Sequence, residues 1–225
     1  MRKTLSAYKF KKLAWESLYN GIRLHEDSLL LFSNGSFPSS LQLSVLAMEE
    51  IAKAKWIDHV YYSSITNNGL TDPSVDEEVK QEQKWLQMLY YHPRKQFAFI
   101  RQEIFQYSPK FVDYIEKKGL EELKQKATYV GLSKKGNKID VNSRINIPLN
   151  TKIEEVIQIV SLVNNELIEM CDLNARQDGY FGIYELDVLI DEELKQRLKK
   201  FHFSSNLKSD KHRRAWDKIL REKKK

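Results

Sequence analysis

The run Leu41-Gln42-Leu43-Ser44-Val45-Leu46-Ala47-Met48 carries no charge, and Glu49-Glu50-Ile51-Ala52-Lys53-Ala54 follows it directly. Apolar residues at 41, 43, 45, 46, 48, 51, 54 and 57 fall on nearly every side of a helical wheel. This segment is therefore predicted to be a helix enclosed by neighbours on most of its surface. Carboxylates on such a helix are costly unless paired or hydrogen-bonded. Lys53 lies four residues after Glu49 and three after Glu50, within reach of either. Two readings stay open at this point: a structural ion pair that holds helices in register, or a polar site at a bundle seam.

The chain has 225 residues, enough for one good core or one core with an appended module. Its 41% hydrophobic and 11% aromatic content is that of a globular protein. Gly and Pro are few, 8 and 5, and they separate long segments, which argues for helices. Cys171 is the single cysteine, so an internal disulfide and a Cys-rich zinc site are both excluded. No basic-then-apolar leader opens the sequence, and its apolar runs are too short to span a bilayer, so a cytoplasmic protein without membrane contact is expected. The net charge of +6 is unevenly spread. Residues 195–225 hold thirteen Lys or Arg against three acids, a net of +10, which leaves 1–194 at −4. A basic block of this kind either tracks phosphates or keeps a terminus solvated.

Leu13, Leu18, Ile22, Leu29 and Phe32 give a helical stripe over about 3–33, with His25 on that stripe as a satisfied semi-buried side chain. Asn34-Gly35 ends this helix, and Pro38 suits the first turn of the next, about 37–62, so the two form an antiparallel hairpin. A third helix is predicted from about Ser74 to Phe105, kinked or broken at Pro93. A fourth covers about Lys110 to Lys126, with a weakness at Gly119. Residues 128–147 read as an irregular excursion or a small hairpin. Thr151-Lys152-Ile153-Glu154 is a capping box that opens a fifth helix through Met170. Residues 1–178 are taken as the bundle and 179–225 as a basic extension with one or two short helices.

Several enzyme classes lack their motifs here. There is no phosphate-cradling Gly-rich loop followed by Lys-Ser/Thr, no His-Glu-x-x-His and no nucleophile elbow. A two-metal carboxylate site needs Glu-x-x-His, whereas Glu49 and Glu50 are followed by the cation Lys53, so no metal and no cofactor are expected. The polar residues that a bundle could bring together are Glu49, Glu50, Lys53, His92, Lys95 and Tyr129. The segment from Phe37 to Ala54, with its apolar run ending in Glu-Glu-x-x-Lys, resembles the signature of the AbiV-type abortive-infection proteins of the HEPN superfamily. His92-x-x-Lys95 and Lys126-Ala127-Thr128-Tyr129-Val130 resemble two further elements of that family, in the same order, over roughly Leu5 to Cys171.

The resemblance implies an all-α HEPN-like bundle of about five core helices, with a polar site between helices and a homodimeric state. It also implies a bacterial anti-phage effector that arrests growth or translation on infection, with RNA and a phage-encoded activator protein as partners. Many HEPN domains are metal-independent ribonucleases with an Arg-x(4–6)-His motif, in which the RNA 2′-hydroxyl attacks, His moves the proton and Arg stabilises phosphate charge. The literal match in this chain is Arg197-Leu198-Lys199-Lys200-Phe201-His202, beyond the resembling core. His92, Glu49, Glu50 and Lys53 are therefore the candidates for chemistry, and Arg94, Lys95, Tyr129, Arg197 and His202 the candidates for binding. A non-enzymatic defence protein, and an RNA- or nucleotide-binding module, stand as the alternatives.

Overall fold

The computed structural model describes residues 7–66, 91–100, 117, 119–128, 131–135, 138–142 and 153–201. Its elements in chain order are α1 (Ala7–Ser33), α2 (Phe37–Thr66), α3 (His92–Ile100), α4 (Gly119–Thr128), β1 (Gly131–Lys135), β2 (Lys138–Asn142), α5 (Ile153–Gln177), α6 (Tyr184–Asp187) and α7 (Glu192–Lys199). The architecture is an all-α bundle carrying one short β-hairpin.

The α1–α2 hairpin forms as its turn residues dictate. Gly35 has φ of 73° and donates its amide hydrogen to Phe32 O at 3.0 Å, while Ser36 N reaches Leu31 O at 2.8 Å. These two bonds satisfy carbonyls that the helix end would leave open, and glycine adopts the left-handed conformation at no steric cost. Small residues then let the helices close on each other. A Cβ at Gly21 would stand 2.8 Å from Ile51 Cγ1 and 3.2 Å from Ala47 O. Nearer the turn, Ser40 donates to Ser28 O and Ser44 to Ser28 Oγ, both at 2.8 Å, so that the buried hydroxyls are paired.

Helix α2 is the axis of the bundle, packing against α1, α3, α4 and α5. Leu41, Val45, Met48, Ile51, Ala54 and Ile57 are all fully buried, as the unpatterned apolar run predicts. Val156, Val160, Val163, Leu167 and Met170 supply the facing stripe of α5. Residues beyond 179 join the same core: Ile183, Leu186, Ile190, Leu194 and Leu198 are buried in it. Asp58 of α2 fixes this segment by accepting the amide hydrogens of Gly182 (3.1 Å) and Ile183 (2.7 Å). Asp191 caps α7 by accepting from Leu194 N at 2.8 Å.

Two interruptions expected from the sequence are helix starts. The break expected at Pro93 is the start of α3: Pro93 lies in its first turn, where a missing amide hydrogen costs nothing. The carbonyl of Tyr91 accepts from Arg94 N at 3.1 Å and Lys95 N at 3.4 Å. Helix α4 starts at Gly119 after a turn at Lys117, so the weakness expected at Gly119 is a helix start. The excursion over 128–147 contains an antiparallel hairpin in the register Gly131↔Asn142 to Lys135↔Lys138. The parts of the predicted third and fourth helices at 74–90 and 101–116, and Thr151 of the capping box, lie outside the described residues.

Candidate functional site

Glu49 stands near the middle of α2 with 1% of its side chain exposed, and three donors from two other helices converge on it. His92 Nδ1 lies 2.5 Å from Glu49 Oε2. Gln96 Nε2 donates to Glu49 Oε1 at 2.8 Å, and Lys124 Nζ donates to the same oxygen at 3.0 Å. The apolar surroundings make these contacts obligatory, since a bare carboxylate here would be prohibitively costly. His92 and Gln96 are one helical turn apart on α3, so a single face of that helix serves Glu49.

A second carboxylate completes the network. Glu121 Oε2 accepts from Lys124 Nζ at 2.7 Å and from Gln96 Nε2 at 3.0 Å. Burial pushes the Glu121 carboxyl up, but hydrogen bonds from Lys124 and Gln125, with further help from Gln96, outweigh it and hold it below the usual range. Gln96 is fully buried, and its Oε1 has no hydrogen-bond partner among the described residues. Its amide nitrogen is already committed to two carboxylates, which fixes the orientation of the group.

The imidazole of His92 is half in water, with 48% of its side chain exposed. It is held at Nδ1 by a buried anion, which leaves Nε2 clear of that contact. Lys95, on the next turn of α3, is 5% exposed, and its amine makes no hydrogen bond or ion pair among the described residues. Its amine is held below the usual lysine range chiefly by burial; Glu49 and Glu50 oppose that effect, while Lys53 and Lys124 add to it. Arg94 is exposed, its guanidinium 6.0 Å from the centroid of the Tyr91 ring. Lys53 pairs with Glu50 at 2.5 Å, leaving Glu49 to its partners on α3 and α4.

Of the residues singled out in the sequence, Glu49, Glu50, Lys53, His92 and Lys95 thus stand at the junction of α2 and α3. Arg197 is elsewhere, on α7, where Glu26 (2.7 Å) and Glu193 (3.1 Å) hold its guanidinium. Tyr129 and His202 lie outside the described residues. Gln96, Glu121 and Lys124 are additions from the structure. Lys124 could have been found: Leu120, Leu123 and Ala127 mark the apolar stripe of α4, and Lys124 falls on it. Among the described residues no cluster of three or more His, Cys, Asp or Glu is placed to hold a metal ion, and no helix is long and apolar enough to cross a membrane.

An all-α HEPN-like bundle with a polar network between α2, α3 and α4 is the class of protein that fold and geometry define. The family model HEPN_AbiV, described as AbiV, matches residues 9–169, and the chain belongs to this family. No curated protein and no solved structure matches it. Family membership points to abortive-infection defence as its biological setting.

Proposed function

We propose that this protein is an abortive-infection effector that arrests growth by cutting RNA, with His92 as the proton-transfer group. The contact between buried Glu49 and half-exposed His92 is the observation that carries this reading. A buried carboxylate on Nδ1 holds the ring in one orientation and, with the proton on Nδ1, leaves a lone pair on Nε2 clear of that contact. Orientation by a third group is the arrangement that makes a histidine an effective general base.

The step needs only RNA and water. Nε2 of His92 takes the proton of a 2′-hydroxyl, the 2′-oxygen attacks the neighbouring phosphorus, and the bond from phosphorus to the 5′-oxygen breaks. The departing 5′-oxygen takes a proton from water, giving a 2′,3′-cyclic phosphate and a 5′-hydroxyl end, and His92 returns its proton to solvent. Lys95, whose ammonium has no ion-pair partner among the described residues, lies one turn along α3 and supplies positive charge for the pentavalent phosphate. Exposed Arg94 and the basic residues of 195–225 draw the RNA backbone in without reading its sequence.

Purified full-length protein incubated with total RNA tests this directly. Cleavage with cyclic-phosphate ends is expected, falling roughly a hundredfold or more in His92→Ala, the scale on which a general base contributes. A folded His92→Ala protein that cuts RNA as well as the parent, and still arrests growth, rules the reading out.

A further inference from the structure

Glu49 Oε1 and Glu121 Oε2 share the same two donors, Lys124 Nζ and Gln96 Nε2, in a closed ring of four atoms. Three features of this ring matter for His92. Its donors occupy Oε1 of Glu49, so only Oε2 is directed at the imidazole. Two carboxylates divide one lysine charge between them, which leaves the ring with one excess negative charge. Gln96 presents Nε2 to both carboxylates while its own buried Oε1 has no partner among the described residues, an orientation that suits two ionised acceptors.

From this geometry we infer that Lys124 and Glu121 are positioning residues that set the proton affinity of His92 in opposite directions, acting through Glu49. The excess negative charge of the ring reaches His92 through the one carboxylate both share. Removing the Lys124 charge leaves the buried Glu49 anion close to the partly exposed Glu121 anion, and His92 is the group placed to neutralise them by taking a proton. Removing the Glu121 charge gives Lys124 wholly to Glu49, and the pull on the His92 proton weakens. Among the described residues the other charged groups around His92 are Glu50 and Lys53 on α2 and Arg94 and Lys95 on α3; both substitutions leave these residues in place, and of them Lys95 is the one whose amine Lys124 also holds down. The role of His92 as a base rests on the function proposed above; the electrostatic coupling does not.

The test is a titration of full-length protein carrying 13C-labelled histidine, with the His92 signal assigned by its loss in His92→Gln. Lys124→Met is expected to raise the His92 midpoint by about one pH unit, and Glu121→Gln to lower it by about half a unit or more. A purely structural role would not give shifts of opposite sign. Unchanged midpoints, or shifts of the same sign, overturn the inference. If Lys124→Met does not fold, Glu121→Gln decides alone, since its side chain is partly exposed, and a midpoint that stays or rises overturns the inference. Opposite shifts in a protein that leaves RNA intact would sink the ribonuclease reading and leave the coupling standing; cleavage with unmoved midpoints would do the reverse.

Discussion

Lys55 of α2 and Glu166 of α5, 111 residues apart in sequence, form an ion pair with both side chains closed off from water. Burial pushes the Lys55 amine down, but the attraction of Glu166, together with Tyr180, outweighs it and holds the amine above the usual range. The ring of Tyr180 lies 5.5 Å from Lys55 Nζ, which ties the segment after α5 to the same pair. This second polar cluster locks α2 to α5, whereas the Glu49 network joins α2 to α3 and α4.

Breaking the Lys55–Glu166 pair on one side strands a charge in the core. Lys55→Met or Glu166→Gln is expected to cost about 3 kcal/mol or more, and the double variant Lys55→Met/Glu166→Leu to recover much of that loss. Urea denaturation midpoints of the three variants measure it.

His25 sets the acid limit of the bundle. It is fully buried, with Asn164 Oδ1 3.1 Å from its Nε2, and burial lowers its pKa to about 4 despite that hydrogen bond. The unfolded chain takes up this proton near 6.5 and the folded chain only near 4, so the contribution is complete above 6.5 and is lost as pH falls toward 4. About 3 kcal/mol is at stake over that window. Stability measured between pH 7 and 4 should fall less steeply in His25→Gln than in the parent.

Gly21→Ala tests the closeness of the α1–α2 crossing. The added methyl would meet Ile51 and the Ala47 carbonyl, so a loss of about 2 kcal/mol is expected, typical of overpacking. Thermal or chemical unfolding of this one variant is the measurement.

The two adjacent glutamates should respond differently to truncation. Glu49→Ala deprives His92, Gln96 and Lys124 of an acceptor and is expected to cost about 4 kcal/mol. Glu50→Ala breaks a partly exposed pair with Lys53 and should cost about 1 kcal/mol. Equal losses in a denaturation series would contradict the difference in burial.

Residues 208–225 carry much of the basic excess, although they lie outside the described residues. If this segment follows phosphates, RNA binding by the full chain weakens steeply with salt, and its deletion flattens the slope. A slope unchanged by truncation, read from binding isotherms between about 50 and 200 mM salt, would argue against that role.

Much of the helical framework could be read from local pattern. The stripe from Leu13 to Phe32, the Asn34-Gly35 stop and Pro38 in a first turn specify the α1–α2 hairpin, because helix periodicity and turn chemistry act over a few residues. The apolar run before Glu49 likewise marks α2 as enclosed. Pro93 and Gly119 were legible as interruptions but not as helix starts. A residue that weakens a helix interior can equally open a new one, and the surrounding chain decides which.

Glu49 was legible as a carboxylate in need of a partner, but the identity of that partner was not. Spacing on one helix offered Lys53, which the structure gives to Glu50. The partners that Glu49 takes, His92, Gln96 and Lys124, are 43, 47 and 75 residues away. Lys55 and Glu166 were invisible as a pair for the same reason. By itself the sequence determined which residues are apolar, where helices can begin and end, and that charge is embedded in a covered helix. Only the packing of α3, α4 and α5 around α2 decided how that charge is neutralised, because pairing across helices depends on crossing geometry and rotation, to which nearest-neighbour spacing carries no signal.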